Sequence, residues 1–127
     1  MNAATAAGVL GGGVTESVTK NHDDGGCEFV RSGARLSIEV KTMSDPAKEF
    51  PAYAARCRGH AAPLRAIGNE AVACTEKGEK GWTVGQVVGR VRKQAFVIRV
   101  SAAGRLSKEA LTDKARDVAE QVAGNLF

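Results

Sequence analysis

Aromatic side chains are scarce in this sequence, at 5% of its 127 residues, with a single tryptophan and a single tyrosine. A core must therefore be built mainly from valine, isoleucine, leucine and alanine, which suits a pleated sheet packed against helices. The length fits one domain, because two cores would each be too small to be stable. We therefore predict a single domain over residues 1–127.

Long apolar runs and blocks of basic residues are also absent. No window approaches the roughly 18–20 apolar residues that cross a bilayer, so no transmembrane segment is predicted. The net charge of +4 comes from 18 basic and 14 acidic residues, and both signs are spread along the chain. Nucleic-acid binding is therefore not favoured, because a nucleic-acid arm usually shows a basic run.

The first apolar stretch, Ala3–Leu10, does not have the form of a signal peptide. It is short, lacks a positive flank and runs into three glycines. Two compartments stay open at this point. The protein belongs to the cytoplasm, or it belongs to the periplasm or cell envelope after removal of an export signal.

The clearest local pattern is a hairpin in the first half of the chain. Cys27 and Phe29 share one face of a strand, and Ser32-Gly33 forms the turn. The returning strand, Leu36–Val40, alternates apolar and polar residues. That alternation is typical of an antiparallel sheet with one buried and one wet face.

A second hairpin is predicted over Trp82–Arg92 and Ala95–Ser101, with Lys93-Gln94 as its turn. Its return strand alternates in the same way. The side chains expected to face the core are Phe96, Ile98 and Val100, and those expected to face solvent are Val97 and Arg99.

Three helices complete the expected order of elements. One runs from an Asn2 cap to Leu10, one spans Pro46–Arg58 with an interruption at Pro51, and one follows a Ser107 cap. The last has apolar residues at spacings of three and four. We predict an α+β fold: a single curved antiparallel sheet with the helices packed on one face, arranged as a loose duplication. The predicted core is Phe29, Leu36, Ile38, Val40, Phe96, Ile98, Val100, Leu111, Val118 and Val122.

The three cysteines allow more than one arrangement. In an exported protein two would pair; Cys57 with Cys74 is the first choice and Cys27 with Cys74 the second. The alternative is three reduced, buried thiols. Cys57 and His60 have a C-x-x-H spacing, but a structural zinc site needs two close pairs of ligands, so we predict neither metal nor cofactor.

Several basic residues cluster around the second hairpin. Arg90, Arg92 and Lys93 lie at its turn, and Arg99 and Trp82 are expected nearby. Such a cluster can bind an anionic polymer, although charged residues are also usual on the solvated face of a sheet. The three turn residues are the candidate anion-binding surface, which we call the basic turn.

The strand Gly26-Cys27-Glu28-Phe29, the Gly33 turn and Leu36–Val40 together resemble a group of small exported bacterial domains of unknown function, many of them lipid-anchored. These domains also have a Gly-Leu-Gly-Asp-Glu-Ala-like element, which here reads Ala66-Ile67-Gly68-Asn69-Glu70-Ala71. The resemblance spans roughly Val9 to Phe127. It implies export to the cell envelope and an antiparallel α+β domain, and it carries no known active site over to any residue here. No lipobox cysteine is visible in the sequence, so lipid anchoring stays open.

The leading functional hypothesis is a non-enzymatic binding or interaction module of the bacterial cell envelope, with an unknown protein or small molecule as its partner. An enzyme is the first rival. It would need a polar site assembled from Asp45, Glu70, His22 or His60. A polyanion-binding protein that uses the basic turn is the second rival. Neither the ligand nor the oligomeric state follows from the sequence.

Overall fold

A computed structural model describes residues 2–21, 24–57, 62–78, 81–104 and 107–127. It contains helices and strands in the order α1 (Ala3–Leu10), β1 (Thr15–Asn21), β2 (Asp24–Arg31), β3 (Ala34–Thr42), α2 (Pro46–Ala54), β4 (Ala62–Leu64), β5 (Glu70–Lys77), β6 (Thr83–Val91), β7 (Gln94–Ala102) and α3 (Lys108–Leu126). No helix in these ranges is both long enough and apolar enough to cross a membrane.

The strands form one open sheet in the order β1-β2-β3-β7-β6-β5-β4, and all neighbours are antiparallel. Its centre is the pairing of β3 with β7, which aligns Leu36 with Val100 and Ile38 with Ile98. This pairing joins two meanders, one from each half of the chain. The predicted α+β fold with an antiparallel sheet is confirmed.

One face of the sheet, which we call the α3 face, carries the main core. Helix α3 lies across β6 and β7, and α1 lies over β2 and β3. The predicted core residues are buried here except Val40, which is half-buried. The apolar stripe of α3 supplies its share of this core, as its helical spacing predicts: Leu111, Ala115, Val118, Ala119, Val122 and Ala123.

Helix α3 can approach β6 closely because Gly85 has no side chain. A Cβ atom at this position would lie 2.6 Å from the carbonyl carbon of Leu111, well inside van der Waals contact.

Two cations bind the C-terminal end of helix α1. Arg31 donates to the carbonyl of Leu10 (3.0 Å) and Lys114 donates to the carbonyl of Val9 (2.7 Å). Both bonds satisfy carbonyl groups that a helix end leaves without an intrahelical partner.

Helix α2 packs on the opposite face, which we call the α2 face, and this differs from the expected placement of all helices on one side. Phe50 of α2 is buried with Val88 of β6 and Val97 of β7. Val97 was expected to face solvent, but it is only 4% exposed. The physical reason is that β7 is apolar on both sides, so both of its faces need cover. The loose duplication is seen in the strand order, with one meander from each half of the chain, while α1 and α2 lie on opposite faces.

Several boundaries also differ from the sequence prediction. The turn of the second hairpin is Arg92-Lys93, one residue earlier than predicted, with Arg92 at a φ of 54°. The sheet also has strands that the two predicted hairpins do not include. At one edge, β1 pairs with β2, which begins at Asp24, and at the other edge the short β4 pairs with β5.

Pro51 does not interrupt α2, which is continuous from Pro46 to Ala54. A proline in a helix removes one hydrogen bond to the residue four positions earlier. That residue is Ala47, which is exposed, so water can solvate its carbonyl group. The ends of α2 stay anchored, because Met43 donates to the carbonyl of Lys93 (2.6 Å) before the helix and Cys57 is buried after it.

Shortening a core side chain tests the strand phasing. Leu36 and Ile98 are each 0% exposed, so Leu36→Ala and Ile98→Ala should each lower the free energy of unfolding by about 2–5 kcal/mol. Val18→Ala is the control, because Val18 is 64% exposed, and it should change stability by less than about 0.5 kcal/mol. Urea denaturation measures all three. Core variants that unfold like the wild type would show that the phasing is wrong.

Candidate functional site: a charged cleft beside α2

The α2 face is only partly covered, and an open cleft occupies the part that α2 leaves free. α2 has nine residues and is about 14 Å long, whereas a nine-residue strand such as β7 extends about 30 Å. The cleft has a volume of about 750 Å³. Its lining residues come from β3, β5, β6, β7 and the β5–β6 connection: Arg35, Glu76, Lys77, Gly78, Trp82, Val84, Arg99 and Ser101.

Trp82 supplies the aromatic part of the cleft. It immediately precedes β6, and its carbonyl accepts a hydrogen bond from the amide of Gly78 (2.7 Å), which closes the connection between β5 and β6. The side chain is half-buried. A tryptophan held at the wall of an open cleft offers a flat apolar surface to a bound ring.

The charges of the cleft favour an anion. Among the described residues, three cations line it, Arg35, Lys77 and Arg99, against the single carboxylate of Glu76. Nε of Arg35 also lies 3.8 Å from Oε1 of Glu28, and both side chains are roughly half-exposed. Exposed ion pairs of this kind contribute little to stability, so the arginines are available to a ligand at little energetic cost.

One ion pair crosses the floor of the cleft. Arg99 on β7 donates from Nη2 to Oε1 of Glu76 on β5 at 2.8 Å. Because β6 lies between these two strands, the pair must pass over β6 on the α2 face. The register places Val84 opposite Glu76 and Gln86 opposite Arg99, so the pair spans the segment between these two β6 residues.

Gln86 is a buried polar residue on the same face of β6, directly opposite Arg99. It is 1% exposed, and neither its Nε2 nor its Oε1 has a hydrogen-bond partner among the described residues. Each such group destabilises a fold by about 1–3 kcal/mol. Its neighbours on the same face of β6, Val84 and Val88, are apolar. The sequence already shows a glutamine on a strand face whose neighbouring residues, Val84 and Val88, are apolar. Only the strand register shows that Gln86 lies opposite the charged residue Arg99.

The disulfide pairing predicted first is confirmed. Cys57 and Cys74 form a disulfide with a Cα–Cα distance of 5.4 Å, and Cys27 is left as a free cysteine. The bond ties the chain after α2 to the middle of β5. Cys74 lies directly opposite Gln86, so the disulfide is at the border between the cluster under α2 and the cleft.

The basic turn lies at the other end of β6. Val84 and Arg92 are eight residues apart, which corresponds to about 26 Å along a strand. Arg90 pairs with Glu70 (3.3 Å) and donates to the carbonyl of Arg92 (3.0 Å). The side chains of Arg92 and Lys93 are exposed. The structure therefore separates the predicted cluster: Arg99 and Trp82 belong to the cleft, not to the turn.

The residues considered for an enzyme do not form one site in the described structure. Asp45 precedes α2, and its amide donates to Glu49 (2.5 Å). Glu70 is paired with Arg90, and both histidines, His22 and His60, lie outside the described residues. In those same ranges, no group of three or more histidine, cysteine, aspartate or glutamate side chains is placed to hold a metal ion.

No protein-family model, curated protein or solved structure matches this chain. The cleft must therefore be interpreted from its own geometry and chemistry.

Thiol counting tests the cysteine assignment. Protein from an oxidising compartment, denatured without reductant, should show one free thiol per chain and three after reduction. Burial raises the pKa of the Cys27 thiol, and the charge of Glu16 adds to the effect. The thiolate fraction at neutral pH is therefore lower, so Cys27 should be alkylated more slowly in the native than in the denatured protein. Three free thiols without reductant would contradict the pairing.

Proposed function

We propose that this chain is a non-enzymatic binding module of the bacterial cell envelope, and that it binds a small anionic ligand in the cleft. The cleft carries the proposal, because it combines a surplus of cations with the flat side of Trp82 on a face that α2 leaves open. A ligand site of this kind needs an apolar surface and a few placed polar groups. A carboxylate with an apolar ring beside it satisfies both.

The cleft has the rigidity that a preorganised site requires. Arg35, Val84 and Arg99 lie on three strands in the interior of the sheet, each paired on both sides. Such strands hold side chains more precisely than loops do. The backbone of the site therefore loses little conformational entropy when a ligand binds, and this raises the affinity.

The disulfide supports the proposed compartment. Disulfides form and persist in oxidising environments such as the bacterial periplasm and the cell surface. Cys57 and Cys74 are both less than 10% exposed, so the bond is protected from reductants in solution. This observation agrees with the export that the sequence resemblance implies.

The second candidate function is polyanion binding at the basic turn, and the exposure of Arg92 and Lys93 favours it. The first candidate has stronger support, because Arg90 is paired with Glu70 and Trp82, the single tryptophan of the chain, lines the cleft. An enzyme has no comparable support from the groups discussed above. The two binding surfaces are far enough apart to be tested separately.

Fluorescence of Trp82 tests the proposal, because it is the only tryptophan in the chain. Titration with 4-phenylbutyrate, an aromatic carboxylate, should change its emission with a saturable curve. The response should weaken as salt rises, because part of the attraction is between exposed charges. Arg35→Gln with Arg99→Gln should reduce the affinity at least about tenfold, since charged hydrogen bonds contribute about 1.5–3 kcal/mol each.

Arg92→Gln with Lys93→Gln is the matched control, because each double variant lowers the net charge from +4 to +2. This control should bind 4-phenylbutyrate like the wild type. Heparin provides the opposite comparison. One pair of results would reject the cleft and support polyanion binding at the turn. The wild type would bind heparin with submicromolar affinity near physiological salt, and only the Arg92→Gln, Lys93→Gln variant would lose this binding. Trp82 fluorescence would show no response to 4-phenylbutyrate.

A further inference from the structure

Gln86 is the feature of the α2 face that the proposed function does not explain. Its amide is 1% exposed and has neither a donor nor an acceptor partner among the described residues. Most buried polar groups in proteins are paired, so one that is not requires a reason. A methionine of similar size would fill the same space without an unpaired polar group.

The position of Gln86 suggests that reason. It lies in one cross-strand row between Cys74 and Arg99, and it is one step along the strand face from Val84, which lines the cleft. The ion pair of Arg99 with Glu76 passes over this part of β6. A ligand that binds Arg99 in the cleft would therefore lie next to the strand position that carries Gln86.

The chemistry of this ion pair indicates which ligand group can replace Glu76 as the partner of Arg99. Arg99 already binds a carboxylate, that of Glu76, at 2.8 Å, and both side chains are partly exposed. A ligand carboxylate offers Arg99 the same chemical group in the planar geometry that a guanidinium prefers. When it replaces Glu76, the side chain of Glu76 can turn to solvent, which clears the strand face between Val84 and Gln86.

The proposal follows from these two observations and rests on the proposed function of the cleft. We infer that Gln86 is a specificity-determining residue, and that the ligand is an N-acylated amino acid whose carboxylate binds Arg99 and whose amide pairs with Gln86. An amide is the group required, because Gln86 has an unpaired donor and an unpaired acceptor and a secondary amide satisfies both. Such a ligand is either a free N-acyl amino acid or the carboxyl end of a peptide.

Two matched probes test this inference. Hippurate carries a phenyl ring, an amide and a carboxylate, and 4-phenylbutyrate has the same length without the amide. Trp82 fluorescence should show that the wild type binds hippurate about fivefold to tenfold more tightly, as expected for one or two buried hydrogen bonds. Hippuramide, which lacks the carboxylate, should not bind detectably. Equal affinities for hippurate and 4-phenylbutyrate would overturn the inference while leaving the cleft as a carboxylate site.

Gln86→Met is the decisive variant. It should preserve or raise the melting temperature, because it removes an unpaired polar group. It should also bring the ratio of the two affinities to about one. The control Arg92→Gln, at the distant turn, should keep the wild-type ratio. A variant that is more stable and still prefers hippurate would show that Gln86 has only a structural role.

A second measurement keeps the test decisive if Gln86→Met does not fold. The side-chain amide signal of Gln86 in the wild type should shift in NMR spectra with hippurate and much less with 4-phenylbutyrate. Glu76→Gln, which removes the competing carboxylate, should raise the affinity for both probes. An unmoved Gln86 signal at saturating hippurate would reject the inference.

Short peptides distinguish the two sources of ligand. A tripeptide with a free carboxyl end should bind, and the same peptide with an amidated end should not, if the natural ligand is a peptide terminus. Binding of hippurate without binding of the peptide acid assigns the site to a free N-acyl amino acid. Failure of 4-phenylbutyrate, hippurate and the peptide acid together would reject both the cleft and the role of Gln86.

Discussion

The structure depends on β7 being buried on both sides. This strand pairs with β3 and β6, so it has no free edge. Phe96, Ile98 and Val100 point to one face, and Ala95 and Val97 point to the other. Both faces of the central strands therefore need apolar cover. The long helix α3 covers one face, and the shorter helix α2 covers part of the other.

The cleft is a consequence of unequal cover. On the α3 face, a 19-residue helix and α1 bury a continuous apolar surface. On the α2 face, nine helical residues cover only the half near the β6–β7 turn. Beyond them most strand residues on this face are polar, among them Arg35, Arg99 and Ser101, and Val84 is the apolar exception in the cleft lining. The boundary between these halves is fixed by the disulfide of Cys57 with Cys74.

The same boundary is where stability and binding conflict. An apolar residue at position 86 would extend the cluster under α2 and avoid an unpaired amide. Such departures from good packing are expected at functional sites, where selection acts on binding as well as on stability. Gln86 lies directly opposite Arg99, whose pair with Glu76 crosses the sheet here, and this register links position 86 to the cleft.

The sequence determined the local elements and their order for a simple physical reason. Alternation and helical spacing are properties of neighbouring residues, and they predicted β3, β7 and α3 along with most of the core. The pairing of Cys57 with Cys74 was the first of two choices, because a helix packed on the sheet can bring them together. The turn of the second hairpin was predicted one residue too late, at Lys93-Gln94 instead of Arg92-Lys93, and Arg90 belongs to the end of β6.

Tertiary structure decided which elements share a face and which side chains meet. The pattern of β7 does not say which helix covers Val97, because an apolar side chain is satisfied by any apolar partner. Arg35, Glu76 and Arg99 come from three different strands, and β6 brings Gln86 between two of them. Their meeting depends on strand order and register, which involve residues far apart in the chain. Long-range pairing brought the cleft together, and it could not be read from local sequence.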